Sequence, residues 1–278
     1  MISHKKLVNG FEFVEVENNS ASAKIALNGA HIFDYKRVGE KPILWLSEIA
    51  DFEEGKSIRG GIPVCWPWFG MNKDTNLPQH GFARTSKWTL TNTNEIDANT
   101  TELTLTLNHS KESLELWKHK FELSLHVEIS DKLSLSLKTT NLDDKSFEIT
   151  QALHSYFDIS DILHVEIRGL ENKPYLDALT MKQEVQNGAI TFKQEVDRVY
   201  QEVDNIITLK DEKRTLHVEN SGSSSCVVWN PWIDKCKRMS AMKDDDYKSM
   251  VCVESSNAFD DTIIIAPSES HMLKAIIY

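Results

Sequence analysis

The sequence predicts an all-β protein, a single large antiparallel β-sandwich spanning residues 1–278 with few short helices. Three observations lead there. Apolar residues alternate with polar ones at period two through the middle of the chain. Turn signals separate these stretches closely enough for hairpins. No long stretch carries helical periodicity, and the best short helical candidate is 240–247.

The elements follow in chain order. A first short strand is expected at 23–27. Leu103, Leu105 and Leu107 alternate with threonines. Phe121, Leu123, Leu125, Val127 and Ile129 form a second series, and Leu133, Leu135 and Leu137 a third. Successive strand side chains point to opposite faces, so each series buries one face and wets the other. Asp131 and Lys132 separate the second and third series by a hairpin's length, and 141–144 (NLDD) ends the third. Such short connections require antiparallel pairing, because parallel neighbours need long crossovers. Further strands are expected at 147–154, 215–219, 226–229, 250–254, 262–265 and 272–276, with a loop at 221–225 (SGSSS). No repeat of fixed period and no domain linker is visible.

Composition narrows the function. With 40% apolar and 26% charged residues over 278 positions, the chain is of globular type and long enough to bury a large core. The net charge of −11 and the lack of a basic stripe argue against nucleic acid as a partner. They do not oppose a small anion, for which two or three placed arginines suffice. Cys65, Cys226, Cys236 and Cys252 are widely spaced without a C-x-x-C pair, which fits a reduced cytoplasmic protein better than a disulfide framework or a zinc site. The N-terminal residues lack an apolar signal core, and no apolar run approaches the roughly 18 residues of a membrane span. A soluble cytoplasmic monomer is expected.

Four segments break the alternation and gather unusual side chains. In 59–70 (RGGIPVCWPWFG), glycines permit close backbone approach, and Trp66 and Trp68 offer flat surfaces of the kind that pack against sugars. Arg59 there can grip an anion bidentately, or stand as a surface arginine beside an aromatic core corner. In 77–84 (LPQHGFAR), Gln79, His80 and Arg84 can hold hydroxyls and a phosphate, though a single histidine is more often structural. His154, in 152–157 (ALHSYF), is either a general acid working near neutral pH or a core-edge histidine satisfied by a carbonyl. Glu254 follows the apolar run of 250–253, where an unpaired carboxylate is costly to bury, so a polar cleft is expected around it. Asp244, Asp245 and Asp246 lack calcium-loop spacing. Phosphate-binding P-loops, dinucleotide fingerprints, serine-hydrolase elbows and zinc spacings are all missing from the sequence.

Together these segments resemble the aldose 1-epimerase, or galactose mutarotase-like, family, and within it the hexose-phosphate branch of glucose-6-phosphate 1-epimerases. The resemblance rests on 59–70, 77–84, 152–158 (ALHSYFD), 197–200 (DRVY), 228–232 (VWNPW) and 250–257 (MVCVESSN), in the family's order across most of the chain. It implies a large twisted sandwich with the sugar in a cleft on one sheet. It also implies His154 as general acid and Glu254 as general base. Arg59, Gln79, Arg84 and Asp197 would bind substrate, with His80 a further candidate, and the arginines would partner a 6-phosphate. Asp204 competes with Asp197, and the flanking Arg198, Val199 and Tyr200 decide for Asp197. The implied chemistry is opening and reclosing of a sugar ring, which calls for no cofactor and no metal. Two other readings stay open at this point: a mutarotase of unphosphorylated aldoses, and a non-catalytic carbohydrate-binding domain. A glycosidase fits less well, because it ordinarily needs two carboxylates flanking one bond.

Overall fold

The computed structural model describes residues 1–72, 76–204 and 206–278. The three alternating series become adjacent antiparallel strands, Thr101–Asn108, Phe121–Ile129 and Leu133–Asn141. Leu125 lies opposite both Leu105 and Leu137, so the apolar positions share one face and burial alternates along the whole of Phe121–Ile129. Ile129 pairs with Leu133, which places the hairpin turn at 130–132. Further strands extend this sheet to eight, from Glu166–Arg168 at one edge to Thr89–Glu95 at the other.

A second sheet of eight runs in the order Lys182–Val185, Pro174–Asp177, Val196–Tyr200, Ser225–Asn230, Met250–Asn257, Gln151–Leu153 and Val64–Cys65. Tyr156–Asp158 also pairs with Met250–Asn257. Leu123, Leu125 and Leu135 of the first sheet share one apolar cluster with Val228, Val251 and Val253 of the second, so the two sheets pack face to face. The opposite face of the second sheet carries a separate cluster that includes Tyr156, Val199, Trp229 and Cys252. A four-stranded meander (2–6, 12–17, 21–26 and 31–37) and a small pair of strands complete the sheets.

Three expectations need correction. The strand expected at 147–154 is two strands. Phe147–Ile149 pairs with Ile263–Ile265, whereas Gln151–Leu153 pairs with Met250–Asn257. The chain changes sheet at Thr150, whose N–H donates to the Pro67 carbonyl and whose Oγ1 accepts from the Phe69 N–H at 2.8 Å. The helix expected at 240–247 lies earlier, at Trp232–Arg238, where the Trp232 N–H donates to Asn230 Oδ1. The Asp246 carboxylate instead accepts the Lys243 N–H and folds that stretch into a turn. The loop expected at 221–225 is narrower, since Ser221 ends one strand and Ser225 begins the next.

The core also holds a titratable group. His31 is fully buried beside the Gly60 carbonyl, with its Nε2 2.7 Å from that oxygen, and burial pushes its pKa down to about 4. Unfolded histidine titrates near 6.5, so the unfolded chain takes up the proton first as pH falls. The associated stability is complete above about pH 6.5 and is lost as pH falls toward 4, about 2 kcal/mol between pH 8 and pH 5. Urea unfolding at those two pH values should show His31→Gln losing about 2 kcal/mol less than wild type. Identical losses would show that His31 is not the group responsible.

Candidate functional site

Alternation along Met250–Asn257 builds the site. Val251 and Val253 enter the core between the sheets, so Cys252 and Glu254 face the other way. Cys252 is in register with Trp229 on one side and Tyr156 on the other, and Trp229 is in register with Asp197. Asp197, Trp229, Cys252 and Tyr156 thus form a row across the sheet, with Glu254 beside it.

His154 sits in the short break between Gln151–Leu153 and Tyr156–Asp158, held by its N–H donating to the Pro63 carbonyl at 3.0 Å. Its ring stacks on Tyr156 with centroids 4.8 Å apart and planes 9° apart, and it meets Trp229 edge-on at 6.0 Å. That packing aims Nε2 at Glu254 Oε1, 3.4 Å away.

Two loops close over this pair. Arg59 Nη1 donates to the Tyr156 hydroxyl at 3.2 Å, so Tyr156 positions both the histidine ring and the guanidinium. The loop that holds Gln79, His80 and Arg84 is zipped to the tryptophan segment. The His80 N–H donates to the Gly70 carbonyl at 2.8 Å, and the Gly70 N–H donates to His80 Nδ1 at 3.1 Å. The neutral His80 ring therefore carries its proton on Nε2, and its centroid is 5.9 Å from that of His154. A Cβ at Gly81 would stand 1.9 Å from the Trp66 carbonyl oxygen, so only glycine allows this approach. Arg84 Nη2 donates to the Gln79 carbonyl at 2.7 Å, while the Gln79 residue is exposed at the rim.

The tryptophans of 59–70 do not present sugar-facing surfaces. Trp66 is fully buried and donates to Thr139 Oγ1, and Trp68 donates to the Pro78 carbonyl, so both anchor loops. The aromatic neighbours of the His154 ring are Tyr156 and Trp229, which lie in the segments 152–157 and 228–232 but carry no role in the sequence analysis.

Asp197 is half-buried on the same face, 3.6 Å from Lys235 Nζ. Asp204 is exposed and paired with Lys173. Lys235 also reaches Glu195 at 3.0 Å and hangs over the Trp229 ring. It was not among the sequence candidates. Its only advance signal is that it follows 228–232 by less than one turn of the helix that segment begins.

Burial dominates the electrostatics. Glu254 is 1% exposed, and loss of hydration raises its pKa well above the usual carboxylate range. The nearby Asp197 charge adds to this and Arg84 opposes it. His154 is driven well below the usual imidazole range by burial, then by His80, Arg84 and Arg59. His80 is pushed down to about 3 by burial and by the same two arginines with Lys235. Both charged forms of the facing pair are penalised, so one proton resides on Glu254 opposite a neutral His154. An NMR pH titration of the ligand-free protein should find the His154 ring still neutral at pH 6. A midpoint at or above about 6.5 would contradict this.

Four buried polar atoms at the site have no hydrogen-bond partner among the described residues: Arg59 Nε, Arg84 Nε, His154 Nδ1 and Glu254 Oε2. Such atoms are costly in a closed core and cheap where a polar ligand completes them.

The model of the aldose 1-epimerase family matches residues 12–278. A protein of Escherichia coli strain K12 is 35% identical, across 99% of this chain and 93% of its own. One of Cenchrus ciliaris is 38% identical, across 95% and 83%. Both carry the provisional name glucose-6-phosphate 1-epimerase. A crystal structure from Salmonella typhimurium, provisionally titled a mutarotase, superposes with a TM-score of 0.92 at 34% identity, covering 99% of this chain and 92% of that one. A galactose mutarotase related enzyme from Lactobacillus acidophilus shares the fold, with a TM-score of 0.74 at 15% identity over 95% of this chain and 96% of its own.

Proposed function

The chain belongs to the aldose 1-epimerase family, and on that premise we propose that it interconverts the α and β anomers of a hexose 6-phosphate, D-glucose 6-phosphate foremost. The observation that carries this reading is the buried contact between His154 and Glu254, 3.4 Å apart in a cleft flanked by Arg59 and Arg84. An acid and a base so placed can serve the two oxygens bonded to one anomeric carbon.

In the ring-opening step, Glu254 takes the proton of the anomeric hydroxyl while His154 gives a proton to the ring oxygen. The C1–O5 bond breaks, the aldehyde forms, and rotation about C1–C2 exposes its other face. Closure reverses both transfers and yields the other anomer. The pair enters this step as carboxylate and imidazolium, reached when the proton of the resting Glu254 crosses to His154, and leaves it as carboxylic acid and neutral imidazole. Burial favours the neutral form, so the dry site opposes the first transfer and drives its return during opening.

Arg59 and Arg84 supply the charge for the 6-phosphate, and each keeps a buried Nε without a hydrogen-bond partner among the described residues. Asp197 and Gln79 are suited to sugar hydroxyls, and the Nε2 proton of His80 to another. The same reading takes residues 1–278 as one domain acting as a cytoplasmic monomer. Among the described residues, no helix is long and apolar enough to cross a membrane.

Two-dimensional exchange NMR tests the proposal on glucose 6-phosphate and on glucose, each with and without protein. Fast α/β exchange confined to the phosphate ester is the expected result. Equal acceleration of both sugars would indicate a general aldose mutarotase. Binding without acceleration of either would indicate a carbohydrate-binding domain and overturn the assignment of Glu254.

A further inference from the structure

Cys252 has no part in the ring-opening chemistry, yet it stands against the groups that perform it. Strand alternation turns it to the same face as Glu254, two residues on, and Tyr156 opposite it carries the stacked His154 ring. The ligating atoms of His154, Cys252 and Glu254 all lie within 4.8 Å of one another, and all three residues are buried. We infer that these three side chains form a binding site for a thiophilic divalent cation, zinc or cadmium, whose occupation disables the acid–base pair.

The donor set selects the ion. One sulfur, one imidazole nitrogen and one carboxylate oxygen suit zinc and cadmium, whereas magnesium and calcium take oxygen ligands almost exclusively. Zinc bonds of about 2.0–2.3 Å in tetrahedral geometry hold ligand atoms about 3.5 Å apart. The 3.4 Å between His154 Nε2 and Glu254 Oε1 already matches that spacing. The sulfur needs to close by at most about 1.3 Å from the 4.8 Å limit, within the reach of a side-chain rotation. The carboxylate brings a second oxygen, Oε2, that has no hydrogen-bond partner among the described residues. The His154 side chain is 10% exposed, so solvent reaches one edge of the cluster and water can supply the fourth ligand.

Binding is a proton-for-metal exchange. The thiol proton and the carboxyl proton pass to solvent, the sulfur and oxygen lone pairs go to the cation, and nothing is oxidised or reduced. A bound ion occupies the lone pairs that the sugar's protons require, so metal and anomer exchange exclude each other. The inhibition arm rests on the proposed epimerase reading, whereas the binding arm does not.

Cadmium titration of the full chain, read by its sulfur-to-metal charge-transfer absorption, tests the site directly. Wild type should take up one ion with that absorption, and Cys236→Ser should behave the same. Cys252→Ala should lose the absorption. Should that variant not fold, His154→Gln and Glu254→Gln serve instead. Each should weaken cadmium binding by at least the roughly 10–100-fold that loss of even an outer-sphere partner costs. Stoichiometric zinc should abolish anomer exchange reversibly in wild type, and Cys252→Ala should keep the rate it shows without zinc. Absence of the absorption in wild type, its survival in Cys252→Ala, or equally tight magnesium binding would overturn the inference. If the protein catalyses no exchange, the cadmium results still decide it.

Discussion

Glu254→Gln is expected to lower kcat for anomer exchange by about 10²-fold or more while leaving the fold intact. Glutamine keeps the shape of the side chain and removes the group proposed to accept the anomeric proton. The fold should tolerate it because Glu254 faces His154 rather than a structural counter-ion, and its Oε2 has no hydrogen-bond partner among the described residues. Burial already keeps the Glu254 carboxyl protonated, so a neutral amide replaces a neutral acid and stability should change little. His154→Gln should show a loss of similar size. The double variant should be little worse than either single one, since the two groups act as a unit. A Glu254→Gln protein with near-wild-type kcat at equal folded fraction would remove Glu254 from the chemistry.

The second large effect concerns charge. Arg59→Ala and Arg84→Ala should each raise KM for glucose 6-phosphate by about 10- to 10²-fold, the equivalent of one charge-assisted hydrogen bond. KM for glucose should change far less. Steady-state exchange rates over a range of both substrates would separate the two cases. Equal losses on both sugars would mean that the arginines shape the cleft without reading phosphate. Arg59 carries a further consequence, because its Nη1 donates to the Tyr156 hydroxyl on which the His154 ring depends for its neighbour. Some loss of kcat in Arg59→Ala beside the KM effect is therefore consistent with binding, whereas the hydrogen bond of Arg84 goes to the Gln79 carbonyl at the exposed rim and not to Tyr156.

Much of the fold could be read from residue order alone. Period two is a local property of a strand, so Phe121, Leu123 and Leu125 announce their buried face without reference to any partner. The hairpin at Asp131 follows from chain length between two such runs. The ordered motifs likewise located His154, Glu254, Arg59, Arg84 and Asp197, because each lies within a short contiguous pattern. What residue order could not supply was convergence. His154 and Glu254 are 100 positions apart in the sequence. Their 3.4 Å contact exists because a strand ending at Leu153 and the strand Met250–Asn257 are neighbours in one sheet.

The remaining decisions belong to tertiary packing for similar reasons. Whether Thr150 continues a strand or transfers the chain to another sheet depends on Pro67 and Phe69, far away in sequence. Trp66 and Trp68 were plausible sugar platforms by composition, yet the core claimed Trp66 and the Pro78 carbonyl claimed Trp68. Lys235 and Cys252 carry no motif of their own. One became a neighbour of Asp197, the other of Glu254, through cross-strand and helix placement. The sequence by itself determined the secondary-structure class and the chemical types available to the cleft, because those depend on local periodicity and residue identity. Only the tertiary structure decided which of those groups meet and how strongly they are desolvated. Both depend on distances between segments remote in the chain and on the water that packing excludes.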